Sequence, residues 1–93
     1  MAALLIQANG LQGGIQWSSS YKIADSNDHM LFVWGKFAEA EVLIQISPNG
    51  EEWFEHSRLS GKAFTEIDLP PDTLVRAGIL NASGDTRVSV EIK

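Results

Sequence analysis

The chain has 93 residues, of which 44% are hydrophobic and 20% charged, with no cysteine and a formal net charge of −5. This is the composition of one small globular domain, and it excludes a disulfide scaffold and thiolate metal sites. Lys22, Lys36, Arg58, Lys62, Arg76, Arg87 and Lys93 are scattered without a basic stripe, so no nucleic acid is expected as a partner.

The apolar start, Met1 to Ile6, stops at Gln7 and has no basic residue before it. It is too short for a signal peptide or a membrane span, so neither secretion through a cleaved leader nor a membrane partner is expected. Ala2 to Gln7 predicts a short strand, and Ala8 to Gly14 a glycine-rich loop. Ile15 to Ile23 alternates at first, with Ser18-Ser19-Ser20 as a bulge or a break before Tyr21. Ala24 to His29 is a polar turn. Met30 to Phe37 is apolar on both faces, Leu31 and Val33 on one, Met30, Phe32 and Trp34 on the other. Such a strand lies centrally in a sandwich or under a partner. Gly35 marks a bend or bulge in it.

Lys36 to Val42 holds the only candidate helical turn, but it has no cap and runs into β-branched residues. Glu41 to Glu55 reads as one β-hairpin. Val42, Ile44 and Ile46 fall on one face at period 2. Pro48 and Asn49 suit the corners of a type I turn, Gly50 can take φ > 0 to close a bulge, and Trp53 and Phe54 open the return strand. His56 to Lys62 reads as a loop. Ala63, Thr65, Ile67 and Leu69 alternate until Pro70-Pro71-Asp72 stops the strand. Val75, Ala77 and Ile79 alternate in the next, Asn81 to Asp85 turns, and Val88, Val90 and Ile92 alternate in the last.

Eight short strands with regular turn signals predict a single all-β domain over residues 1–93, an eight-stranded antiparallel β-sandwich of jelly-roll or Ig-like type. Val42, Ile44, Ile46, Val75, Ala77, Ile79, Val88, Val90 and Ile92 are its expected core. A domain this small buries a thin core, which a subunit interface would supplement, so a homo-oligomer, trimer or dimer, is expected.

No stretch carries a recognisable reaction. Asp25-Ser26-Asn27-Asp28-His29 alternates oxygen side chains as a calcium loop does, but it lacks the glycine and the distal glutamate, so an Asx-type turn is the favoured reading. His29 and His56 have no spacing partner for zinc. Glu51, Glu52 and Glu55 could form a carboxylate pair, but a solvated hairpin tip is the favoured reading. The serines lack a nucleophile elbow, and the glycines at 10, 13 and 14 precede neither a Lys-Ser/Thr nor a helix. No enzyme, no cofactor and no metal are expected. Trp17, Trp34 and Trp53 could form a sugar-binding platform, but burial in a thin core is the favoured reading, with Trp53 the most exposed.

The runs G-K-F-A-E-A-E-V-L-I-Q-I-S-P-N-G-E-E-W-F and I-D-L-P-P-D-T-L-V-R-A-G-I-L-N-A-S-G-D-T-R-V-S-V-E-I, covering Gly35 to Ile92, resemble a recurrent pattern in small structural proteins of tailed bacteriophages. That pattern joins a Gly-x-Phe, a strand, an S-P-[ND]-G-x-x-W turn, a leucine-proline stop, a V-R-A strand and a final hairpin. The resemblance implies a β-sandwich of the virion, most simply a capsid cement or decoration protein on the capsid surface, assembled in the host cytoplasm, with the major capsid protein as partner. A tail, baseplate or adaptor component and a carbohydrate-binding module are the alternatives. The expected interface residues are Leu4, Ile6, Met30, Phe32, Trp34 and Trp53, with the segment from Met1 to Gln7 taking part.

Overall fold

The computed structural model of the protein describes residues 3–9, 15–24, 29–83 and 85–93, with the backbone alone over 3–9 and at 15. Its strands are β1 (Ala3–Asn9), β2 (Ile15–Trp17), β3 (Tyr21–Lys22), β4 (His29–Lys36), β5 (Glu41–Ser47), β6 (Phe54–Leu59), β7 (Ala63–Ile67), β8 (Leu74–Leu80) and β9 (Arg87–Ile92). No helix occurs among the described residues. One antiparallel sheet has the order β1-β9-β4-β7. The other has the order β2-β8-β5-β6, with β3 also on β8.

The two shortest strands are one edge strand with a break. β2 pairs with Gly78 to Leu80 and β3 with Leu74 and Val75, so both flank the same side of β8. The serine run makes the break. Ser18 N–H donates to the Ala77 carbonyl at 2.7 Å, while the Ala77 N–H donates to the Ser18 hydroxyl at 2.9 Å. A hydroxyl thus stands in for a backbone acceptor, and the strand steps out without orphaning its neighbour. Counted as one, the pair gives the predicted eight strands. Every connection except the β5–β6 hairpin crosses from one sheet to the other. That is jelly-roll winding and not the Ig-like arrangement, in which hairpins stay within a sheet.

The alternation read from sequence chose the correct faces. Val42, Ile44, Val75, Ala77, Ile79, Val88, Val90 and Ile92 are buried, and Ile46, nearest the hairpin tip, is partly buried. Leu31 and Val33 make the inner face of β4, joined by Ile23 and Ile67. Thr86 is also fully buried. Its hydroxyl donates to the Phe37 carbonyl at 3.1 Å and accepts from Ser83 N–H at 2.9 Å, tying the β4–β5 corner to the β8–β9 turn. That corner holds Ala38 (φ 50°) and Glu39 (φ 73°), closed by Ala40 N–H to the Phe37 carbonyl at 2.9 Å, so the candidate helical turn is a tight reverse turn.

Three local expectations change. Gly50 has the expected positive φ, 82°, but the last register pair of the hairpin is Ile46 with Phe54. The tip therefore spans Ser47 to Trp53, and Trp53 belongs to it and not to the strand. Side chains hold it open: Ser47 Oγ accepts from Gly50 N–H at 2.7 Å, and Asn49 Oδ1 from Glu51 N–H at 2.9 Å. Residues 56–59 are strand, not loop. They have little hydrophobic alternation, but β5 offers a backbone edge, and a bulge at His56 restores the register. None of the three tryptophans is in the core. Trp17 and Trp34 are 36% and 39% exposed because β2 and β4 turn the opposite parity inward, while Trp53, expected to be the most exposed of the three, is half-buried in the hairpin tip. The expected Asp25–Asp28 turn lies outside the described residues.

Candidate docking surfaces

The inward demand of β4 is met by Leu31 and Val33, so Met30, Phe32 and Trp34 face outward. Across the strand pair, Phe32 lies opposite Phe64, and the ring centroids are 6.3 Å apart with planes tilted by 35°. Phe64 is 67% exposed, the most exposed large apolar side chain among the described residues. With Trp34 and Lys62, these rings line a mostly apolar groove of about 590 Å³ on the outer face of the β1-β9-β4-β7 sheet. Lys93 Nζ sits 5.8 Å from the Phe32 ring centroid at its margin. The groove has the size of a binding site but only a few polar atoms, which suits apolar contact and not bond-making chemistry.

The opposite outer face is built differently. Arg76 on β8 lies in register with Gln45 on β5, and its Nε and Nη2 donate to Gln45 Oε1 at 2.9 and 2.7 Å. Its guanidinium carbon lies over two rings, 4.1 Å from the Trp17 centroid and 4.0 Å from that of Trp53. Gly78 makes room for Trp17: a β-carbon there would come within 2.6 Å of the indole. The arginine thus pins the edge strand β2 and the hairpin tip onto the sheet by stacking and cation–π attraction.

The structure brings Met30, Phe32 and Trp34 together as expected. Trp53 is not with them; it belongs to the arginine clamp on the other sheet. Leu4 and Ile6 lie in β1, whose backbone pairs with β9 at Glu91 and Val90, but their side chains are outside the described residues. Phe64 was missed by sequence reading because it shares a parity with Glu66, which looked like a solvent face. The available signal was a phenylalanine at an outward position. Among the described residues no cluster of three or more His, Cys, Asp or Glu could hold a metal ion, and no helix is long and apolar enough to cross a membrane. No protein-family model, curated protein or solved structure matches the chain significantly.

Proposed function

We propose that the chain is a capsid cement or decoration protein of a tailed bacteriophage, docking on the major capsid protein through the outer face of β4 and β7. The observation that carries this reading is the exposed aromatic groove of Phe32, Trp34 and Phe64 on one outer sheet face. Monomeric proteins seldom leave such a cluster open without a use for it. Burying the open parts of Trp34 and Phe64 is worth roughly 2–4 kcal/mol each before association costs, at about 25 cal/mol per Å². A single copy then binds weakly, and many copies on a symmetric shell act together across subunit joints. The reading assigns the chain no reaction and no cofactor.

The sugar-binding alternative needs a coplanar pair of open rings. Arg76 occupies the ring faces of Trp17 and Trp53, and the Phe32–Phe64 pair is tilted. The test is co-sedimentation of the purified chain with assembled heads of the encoding phage, alongside tail particles and immobilised oligosaccharides. Pelleting with heads supports the decoration role. Pelleting with tails alone replaces it by the tail component, and retention on sugar without particle binding replaces it by the lectin-like module.

A further inference from the structure

The two sheets end in four edges, and three of them are broken. The register of β1 on β9 shifts between Leu4 and Ile6. The β2–β3 edge is interrupted by the serine run, and β6 carries the His56 bulge. Bulges and breaks are the usual devices by which an edge is kept from pairing with another chain. The remaining edge, β7, pairs with β4 in unbroken register from Ala63 to Ile67 and contains no proline. It also carries the 67%-exposed Phe64.

The backbone of β7 is turned for use. Met30 and Lys93 exchange both backbone hydrogen bonds, at 2.9 and 2.8 Å, so alternate residues 30, 32 and 34 bond toward β9. Leu31 and Val33 therefore bond toward Thr65 and Ala63 across β7. Phe64 and Glu66 are left with their N–H and C=O groups directed out of the open edge.

We infer that a second copy of the chain pairs with this edge, antiparallel and two-fold symmetric about Phe64. That register sets Phe64 opposite Phe64 of the partner copy and covers the most exposed apolar side chain. It sets Lys62 opposite Glu66 twice, once on each side of the axis, so each cation meets a carboxylate. Shifting the axis to Thr65 would instead place Phe64 against Glu66 and waste the aromatic pair. A two-fold axis through an antiparallel strand pair stands perpendicular to the sheet. The two four-stranded sheets then become one continuous sheet, and both aromatic grooves open on the same side.

The test is sedimentation or light scattering of the purified chain, without any capsid, so its failure leaves the docking reading standing and the reverse holds too. The wild-type chain is expected to dimerise. Lys62→Glu and Glu66→Lys each turn two attractive pairs into repulsive ones and should weaken the dimer on the order of tenfold or more. Lys62→Glu with Glu66→Lys restores opposite charges in this register alone and should recover it. Glu66→Pro removes an N–H that serves no bond among the described residues and should give a folded monomer, with circular dichroism reporting the fold. A monomeric wild-type chain, or a dimer that Glu66→Pro and both single reversals leave intact, would overturn the inference. Loss in both single variants without recovery in the double variant would overturn the register.

Discussion

Gly35 is where β4 leaves regular geometry, and replacing it by alanine is the sharpest perturbation of the fold. Its φ is 120°, a conformation that side chains other than glycine rarely adopt. An added β-carbon would lie 1.9 Å from the carbonyl oxygen of Arg87, 3.0 Å from its carbon and 3.1 Å from the Val88 Cα. All three atoms are backbone of the paired strand β9, so no rotamer change relieves the contact. The strain of the φ value alone costs about 1–3 kcal/mol. Separating β4 from β9 at this pair forfeits the nearby ladder bonds, each worth about 1 kcal/mol. We expect Gly35→Ala to lose about 3–5 kcal/mol, a large part of the roughly 5–14 kcal/mol usual for a domain of this length. At about 4–8 °C per kcal/mol the midpoint should fall by roughly 12–40 °C in a thermal melt followed by circular dichroism. Gly61→Ala is the control, since nothing lies within 4 Å of a β-carbon there. A Gly35→Ala protein within about 0.5 kcal/mol of wild type would refute the close approach of β4 and β9.

The other expected outcomes can be read by the same melts or by fluorescence. Ile44 is fully buried on β5, and Ile44→Ala should cost about 2–5 kcal/mol; a loss below about 1 kcal/mol would place it at the surface. Thr86→Val keeps the shape but orphans the Ser83 N–H and takes one of the two donors from the Phe37 carbonyl, so a loss of about 1–3 kcal/mol is expected in chemical denaturation, and none if water reaches the amide. Gly78→Ala pushes Trp17 away from Arg76, and a shift in tryptophan emission with about 1 kcal/mol of destabilisation should follow. An unchanged emission spectrum would mean that the clamp does not form in solution.

The core was legible because the strands that build it alternate cleanly. In β9, Val88, Val90 and Ile92 leave only the polar Arg87, Ser89 and Glu91 on the other parity, so the apolar parity has to face inward. β4 was not legible in the same way, since both of its parities are apolar; only the burial of Leu31 and Val33 decides that Phe32 and Trp34 face out. The strand over residues 56–59 was hidden because Ser57, Arg58 and Leu59 are held by pairing with β5 and not by hydrophobic period, and His56 is bulged out of that pairing. The arginine clamp depends on Gln45 and Arg76 sharing a register across β5 and β8, and a single sequence does not encode register between strands far apart in the chain. Phe64 joined the candidate surface for the same reason, through its place opposite Phe32.

The central claim is that the outer face of β4 and β7 is a docking surface, and binding to assembled heads measures it most directly. Under the proposed decoration role, wild-type protein and Trp34→Glu, which puts a charge into the groove, should be compared by co-sedimentation with assembled phage heads. Trp34 is 39% exposed and outside the core, so the variant should keep its fold, as circular dichroism would show. The account predicts that the wild-type chain pellets with heads to a saturating stoichiometry and that Trp34→Glu stays in the supernatant. Equal binding by both proteins, or no binding by either, would contradict it.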